Sequence, residues 1–181
     1  MTEQHVPPTA WAAVGEEIAG VLARVVPDEL AAAARFLGDR GGRWFFTGQG
    51  RSGLVAQMAA MRVMHLGRPT HVVGEATAPS VRAGDHVVAL SASGETPVTL
   101  HLARLAREQG ADVLAVTTRP ASPLGALAGT TLHVSVVASG QFGGSLFEQC
   151  ALVLLDAVVL QLTGPDAEAH ERMARRHTNL Q

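Results

Sequence analysis

The chain contains no lysine and only one cysteine, Cys150, among its 181 residues. The absence of lysine excludes a Schiff-base enzyme and a P-loop, because both need a lysine amine. A single cysteine forms no disulfide within the chain, which fits a reducing compartment, so we expect a cytoplasmic protein. All fourteen basic residues are arginines, and the formal net charge of -2 predicts no nucleic-acid partner.

Features of exported, membrane and metal proteins are also scarce. The first residues, MTEQHVPPTAWAAVGEE, lack a basic region followed by an apolar core, so we expect no signal peptide. The longest apolar run, CALVLLDAVVLQL (150–162), contains Asp156 and is short for a bilayer-spanning helix, so we expect no membrane partner. There is no H-E-x-x-H motif and the eight histidines are scattered, so we expect neither a metal nor a cofactor.

What the chain has in quantity is apolar residues, at 47%, enough for one domain with a full core. Apolar strands alternate with helical segments, which predicts an α/β fold, a three-layer sandwich with a five-stranded parallel sheet. We expect a single domain, 1–181, with a helical N-terminal extension (1–40) packed on the core and a C-terminal helix and tail (165–181). The predicted strands are 43–47, 70–75, 85–91, 111–118 and 130–136; the predicted helices are 10–38 (broken at Pro27), 54–67, 97–110, 122–128, 145–162 and 167–181.

Loops of small residues follow successive predicted strands, at 48–53, 75–79, 91–96 and 118–122. The carboxyl ends of parallel strands share one edge of the sheet, where ligands bind beside the point at which strand order reverses. The first loop, GQGRSG, fits G-x-G-x-x-G, a pattern that lets backbone N–H groups approach an anion at a helix N-terminus. Gly50, Arg51 and Ser52 are therefore candidate binding residues. The alternatives are a glycine-rich turn without a ligand and, for Arg51, a surface salt bridge.

The second loop, SASGET (91–96), repeats this arrangement after the third predicted strand. Thr96 before Pro97 fits a hydroxyl N-cap with proline at the first helical position. A plain turn would not require the other hydroxyls, and two such loops offer many neutral donors to one small dianion. A dinucleotide would normally use only the first loop, so the pair favours a phosphorylated small molecule. The candidate binding residues of this loop are Ser91, Ser93, Gly94, Glu95 and Thr96.

The segments GQGRSG, VVGEATAP, SASGET, SPLGALA, GSLFE and RRHTNLQ occur in the order and spacing of sugar isomerase (SIS) domains. The sequence resembles this family from about residue 43 onwards, and more narrowly resembles its 6-phospho-3-hexuloisomerases, through MRVMHLG, VVGE and RHTNL. It departs from the family at Gln49 and Ala92, where smaller residues are more common.

The resemblance implies a flavodoxin-like SIS fold. It also implies isomerisation of 3-hexulose 6-phosphate to fructose 6-phosphate through a cis-enediol, in the ribulose monophosphate pathway of formaldehyde fixation.

The resemblance makes Glu148 the candidate base and His177 the candidate proton relay. Glu148 also fits a capping box that begins at Ser145, which is a purely structural alternative. An imidazole titrates near neutrality and suits proton relay; the alternative is that His177, at the end of an arginine-rich helix, is part of a solvated, frayed terminus. Glu75 would bind a sugar hydroxyl or cap a loop.

The predicted helix 145–162 is apolar nearly all round, and one face of a sheet covers only one side of it. We therefore expect a subunit interface that includes the N-terminal helices, and the resemblance implies a homodimer or homotetramer.

Two other functions remain open on the sequence. One is an NAD-dependent oxidoreductase using the glycines of GQGRSG with Glu75, which leaves SASGET without a role. The other is a non-catalytic phosphosugar sensor, which predicts binding without a need for Glu148.

Overall fold

The computed structural model describes residues 9–39 and 41–180, which form seven helices and five strands in the predicted alternating order. Residues 1–8 of the predicted extension, Arg40, and Gln181 of the tail lie outside the described residues. The helices are α1 (Ala10–Leu22), α2 (Pro27–Gly38), α3 (Arg51–His65), α4 (Pro97–Glu108), α5 (Pro123–Leu127), α6 (Ser145–Thr163) and α7 (Ala167–Ala174). The strands are β1 (Trp44–Gly48), β2 (Thr70–Val72), β3 (His86–Leu90), β4 (Asp112–Thr117) and β5 (Thr130–His133).

The five strands form one parallel sheet in the order β2-β1-β3-β4-β5. The predicted α/β fold is therefore confirmed. From β1 the chain first adds β2 on one side and then crosses to add β3 on the other, so the strand order reverses between β1 and β3. The loops at 48–53 and 91–96 follow these two strands and flank the position where such sheets bind their ligands.

The sheet separates two apolar cores because successive side chains of a strand point to opposite faces. Trp44 and Phe46 of β1 pack with α1, α2, α3 and α6, whereas Phe45 packs on the other face with α4 and α5. The strands β3 and β4 divide their side chains in the same way. This gives the predicted three-layer sandwich, in which α3 packs over β1 and β3 and α6 packs beside α3.

Helix α6 is longer than the apolar run from which it was predicted. It has 19 residues, and within the described part of the chain it is the one helix whose length and composition would allow it to cross a membrane. This differs from the expectation that the apolar run 150–162 is too short to span a bilayer. Core helices of soluble proteins have the same composition, and α6 packs against α1, α2 and α3. Its buried residues are Leu146, Phe147, Cys150, Ala151, Leu154, Leu155, Val158 and Val159.

A buried ion pair stabilises the amino edge of the sheet, where the strands begin. Asp85, fully buried, accepts hydrogen bonds from Arg43 N and Nε at 3.0 and 3.1 Å, from Arg43 Nη2 at 2.6 Å and from Arg82 N at 2.9 Å. Burial opposes ionisation of this carboxyl, but the hydrogen bonds and charge of Arg43 and the N–H of Arg82 hold the pKa of Asp85 below its ordinary value.

Two more arginines at the amino edge satisfy the ends of helices. They line a cavity of about 490 Å³ between the last turns of α2, α3 and α6 and helix α7. Arg68 Nη2 donates to Gly38 O at 3.1 Å, and Arg176 Nη1 donates to His65 O at 3.2 Å. Gly38 and His65 are the last residues of α2 and α3, whose C-terminal carbonyls carry partial negative charge. The guanidinium groups therefore compensate the partial negative charge at these two helix ends.

Candidate functional site

The first loop, 48–53, brings the start of α3 tightly against the end of β1. A Cβ added at Gly48 would lie 2.8 Å from the carbonyl carbon of Ser52, and one at Gly53 would lie 2.9 Å from Gly48 O. Gly50 is the residue before α3 and has a φ of +56°, in the region that favours glycine. The loop thus presents the N-terminal N–H groups of α3, which have no intrahelical partners, at the carboxyl edge of the sheet.

Hydroxyl groups shape the second loop, 91–96, from inside. The Ser91 side chain is buried, and its Oγ accepts from Gly94 N at 3.1 Å and lies 2.9 Å from Thr96 Oγ1. Ser93 is exposed, and its Oγ accepts from Glu95 N at 3.1 Å. The side chain of Thr96 makes no capping hydrogen bond to α4, so the predicted hydroxyl cap is wrong, although Thr96 does precede the helix.

Threonines at the end of β4 donate hydrogen bonds to the second loop. Thr117 Oγ1, Thr118 Oγ1 and Thr118 N all donate to the carbonyl oxygen of Ala92, at 3.0, 2.8 and 3.1 Å. Three donors on one carbonyl fix the loop against the neighbouring strand. The sequence interpretation did not single out these threonines, although their position at the end of the fourth predicted strand placed them at the correct edge.

The middle of the second loop tolerates only glycine. Gly94 has a φ of +66°, and a Cβ there would lie 1.9 Å from Ser122 Oγ. The carbonyl of Gly94 accepts from Leu124 N at 3.1 Å in α5. Next to it, the exposed Glu95 forms an ion pair with Arg119 at 3.0 Å. The loop is therefore tied to the start of α5 and to the segment after β4.

Glu148 lies in the first turn of α6, where it forms an ion pair with the Nε of Arg51. The capping-box alternative is wrong, because the residue before the helix is Gly144, no side chain caps the helix, and Ser145 Oγ donates to Phe142 O. The Glu148 side chain is only 12% exposed, whereas that of Arg51 is 62% exposed. A largely buried carboxylate is thus paired with a solvent-exposed guanidinium at the start of α3.

A small pocket of about 220 Å³ adjoins this ion pair. Its apolar wall comes from Leu54 and Met58 of α3 and Leu152 of α6. Gln149 also lines it, and within the described residues the buried Oε1 of that side chain has no hydrogen-bond donor. An unpaired buried acceptor is costly, so this oxygen is suited to receive a donor from a bound molecule or a partner.

Glu75 follows β2, the edge strand of the sheet, and is exposed. Across residues 9–39 and 41–180 its carboxylate has no hydrogen-bond partner, so the structure does not join it to the Arg51–Glu148 pair. Over the same residues, no group of three His, Cys, Asp or Glu side chains is arranged to hold a metal ion.

His177 lies at the other end of α3 from Arg51. Its ring stacks on that of His65 with a centroid distance of 5.3 Å, and His65 is the last residue of α3. Burial, then the nearby His177 and Arg62, lowers the pKa of His65. At 1.5 Å per residue, α3 separates the two ends by about 20 Å. Within one chain, the structure therefore does not bring His177 to Glu148.

A model of the SIS domain family matches residues 38–162. The chain belongs to the SIS domain family. This SIS chain is 39% identical over 176 residues to the 3-hexulose-6-phosphate isomerase of Mycobacterium gastri, covering 93% of this chain and 88% of that relative. It is 38% identical over 146 residues to the 3-hexulose-6-phosphate isomerase of Bacillus subtilis (strain 168), covering 76% of this chain and 79% of that relative.

A solved SIS-like structure agrees over nearly the whole chain. It is the crystal structure of a Methanococcus jannaschii protein, from which the function of a 3-hexulose-6-phosphate isomerase was inferred for that protein. The two share a TM-score of 0.83 and 27% identity, over 94% of this chain and 98% of that one. The family resemblance read from the sequence is thereby confirmed.

Proposed function

We propose that this SIS chain is an isomerase that converts 3-hexulose 6-phosphate (D-arabino-hex-3-ulose 6-phosphate) to fructose 6-phosphate, in the ribulose monophosphate pathway. The observation that carries the proposal is the Arg51–Glu148 ion pair at the start of α3, beside the two small-residue loops of the switch point. The similarity to relatives named 3-hexulose-6-phosphate isomerase supports the choice of substrate. We also propose that the chain works as one domain in the cytoplasm.

In this proposal the two loops bind the phosphoryl group. A phosphate dianion is stabilised by backbone N–H groups at a helix N-terminus and by hydroxyl donors. The first loop contributes Gly50 and Ser52, and the second contributes Ser93 and Thr96. Ser91 and Gly94, both buried, give the second loop its shape. The Glu95–Arg119 ion pair closes the outer side of the loop.

Glu148 then acts as the base. Its carboxylate takes the proton from C2 of the sugar, which gives a cis-enediol, and returns a proton to C3 as the carbonyl moves from C3 to C2. Arg51, already hydrogen-bonded to this carboxylate, holds it in place and is exposed enough to contact the substrate as well. Gln149 Oε1 offers an acceptor to a sugar hydroxyl. Glu75 remains a proposed contact for the far end of the substrate.

His177 is proposed to relay a proton between O2 and O3 in the active site of a neighbouring subunit. The separation of about 20 Å along α3 favours the neighbour over the same chain. Exposed apolar residues lie along the route that a second copy would cover: Leu54, Met58 and Met61 follow one another at helical spacing on α3, and Val153 and Leu160 are exposed on α6. We therefore propose a homodimer or homotetramer assembled through α3, α6 and the N-terminal helices.

The direct test is to incubate the purified chain with 3-hexulose 6-phosphate and to measure fructose 6-phosphate with a coupled assay. We expect turnover without an added metal or nucleotide, and no product from the unphosphorylated sugar. Failure to form fructose 6-phosphate would contradict the proposed activity. Sedimentation at micromolar concentration tests the assembly, and a monomer would contradict it.

A further inference from the structure

Glu17 of α1 holds the glycine-rich loop before α6. Its carboxylate accepts three hydrogen bonds from that loop: from Ser139 Oγ at 2.7 Å, from Gly140 N at 2.7 Å and from Gln141 Nε2 at 3.0 Å. These contacts join residues more than 120 positions apart in the chain. The N-terminal helix therefore fastens a loop that follows the last strand of the sheet.

The loop has few other constraints. In the described part of the chain, the remaining hydrogen bonds of residues 139–144 stay within the loop or reach the first turn of α6, such as Gln141 N to Ser139 Oγ and Ser145 Oγ to Phe142 O. Phe142 is 97% exposed, so its side chain does not anchor the loop in the core. Glycines at 140, 143 and 144 add backbone freedom. Glu17 is thus the main tie between this loop and the rest of the domain.

The end of the loop is in direct contact with Glu148. Gly144 precedes α6, and its carbonyl oxygen accepts from Glu148 N at 3.0 Å. A Cβ built on Gly144 would lie 3.4 Å from Glu148 Oε1, so the loop and the carboxylate are in close contact. We therefore expect a shift of the loop to move the Glu148 carboxylate relative to Arg51.

We propose that Glu17 is a positioning residue for the isomerase reaction, which fixes the 139–144 loop and through it the catalytic carboxylate of Glu148. This inference rests on the proposed function. A carboxylate suits the role because it only accepts hydrogen bonds and faces three donors. The donors lower the pKa of Glu17, Ser139 first and then Gly140 and Gln141, so the carboxylate is ionised and the contact complete at neutral pH.

The test replaces Glu17 with Gln and compares it with Glu16→Gln. Glu16 is an exposed acid one position earlier on α1, and the change alters the net charge equally. Glutamine turns two donors and only one acceptor oxygen toward the three donors of the loop, so the contact is lost while the helix is retained. We expect amide hydrogen exchange of residues 139–144 to rise about tenfold or more in Glu17→Gln and to stay unchanged in Glu16→Gln.

Kinetics distinguish positioning from a general loss of structure. We expect kcat of Glu17→Gln to fall about 10–100-fold, the effect of misplacing a reacting group by about an ångström, with KM within about twofold. The phosphate loops do not contact Glu17, which is why KM is spared. An unchanged kcat, an equal loss in Glu16→Gln, or a rise in KM with kcat preserved would overturn the inference.

The exchange experiment also separates this inference from the proposed function. If the unmodified chain does not isomerise 3-hexulose 6-phosphate, the proposed function fails, and with it the assignment of Glu17 to that reaction. Increased exchange in Glu17→Gln, confined to residues 139–149, would then still support the control of the first turn of α6 by Glu17. Unchanged exchange would overturn that control whatever the activity.

Discussion

The two edges of the sheet use polar groups in opposite ways. At the amino edge, polar groups compensate one another: Asp85 accepts four hydrogen bonds, and Arg68 and Arg176 donate to the carbonyls that end two helices. At the carboxyl edge, the loops after β1 and β3 are held by their own hydroxyls and by glycines, and they leave helix N-termini open. We therefore expect substitutions at the amino edge to affect stability and substitutions at the carboxyl edge to affect activity.

The largest effect on activity at the carboxyl edge should come from Glu148→Gln. Glutamine can still accept from Arg51 Nε, so the fold should be retained while the base is lost. We expect kcat to fall by about 10²–10⁴ with the melting temperature unchanged, measured by the fructose 6-phosphate assay and by thermal unfolding. A phosphosugar should still raise the melting temperature. Glu108→Gln, at an exposed acid of α4, is the control; comparable turnover in the two variants would refute Glu148 as the base.

The opposite result is expected from Arg43→Ala at the amino edge. It leaves the buried Asp85 without its charge partner, a change that costs about 3–5 kcal/mol of unfolding free energy. Urea denaturation measures this loss, and kcat of the folded protein should stay within about twofold of the unmodified chain. Arg82→Ala keeps the N–H that donates to Asp85 and should cost less than about 0.5 kcal/mol. Equal losses in both variants would contradict the role of the ion pair.

The Arg43–Asp85 ion pair should also make the free energy of unfolding depend on pH. The pKa of Asp85 is lower in the folded chain than the ordinary value near 4 that applies to the unfolded chain. Its contribution is therefore complete above about pH 4 and is lost as pH falls through the lowered folded-state pKa. Urea midpoints measured from pH 7 down to pH 2 should show a decline below pH 4. Asp85→Asn should reduce that decline; an identical decline in the variant would show that other groups cause it.

A smaller effect is expected at the carboxyl edge from Ser93→Leu. Ser93 is exposed, so the larger side chain should fit without unfolding the domain, but it removes a hydroxyl and fills the loop. We expect KM to rise about tenfold, in line with the loss of one hydrogen bond to a charged group, while the melting temperature is unchanged. Ser80→Leu, at an exposed serine near Arg43, is the matched control. An unchanged KM in Ser93→Leu would remove this loop from the phosphate site.

The smallest effect should come from Glu95→Gln. Its ion pair with Arg119 is exposed, with 57% and 50% of the two side chains open to solvent, and exposed pairs contribute about 0.2–1 kcal/mol. We expect a loss of unfolding free energy within that range, measured by urea denaturation. A rise in KM would support contact of Glu95 with the substrate. A stability loss as large as that of Arg43→Ala would contradict the distinction between the edges.

The order of strands and helices was predictable because apolar runs of strand and helix length alternate along the whole chain. The switch point also followed, since the loops GQGRSG and SASGET come after two of the predicted strands. These features depend on residues close together in the sequence. The local pattern was less reliable at helix starts: S-x-x-E allowed a capping box as the structural alternative for Glu148, but the partner of Glu148 is the guanidinium of Arg51, 97 residues away.

Contacts between distant segments explain what the sequence did not reveal. Nothing in the region around Glu17 indicates that its carboxylate meets Ser139, because that contact requires α1 and α6 to be neighbours. The same holds for His177, whose place against His65 depends on the path of α7 back to α3. Thr117 and Thr118 were at the predicted edge, but their shared acceptor, Ala92, is set by the pairing of β3 with β4.

The length of α3 has a consequence for how such an enzyme would behave in a mixture. If each catalytic centre combines the carboxylate of one copy with the imidazole of another, neither a Glu148→Gln chain nor a His177→Ala chain works alone. Blended and allowed to exchange subunits, the two inactive preparations would complement each other and regain activity. Dilution would have the reverse effect: the subunits of the unmodified enzyme would dissociate and its activity would be lost.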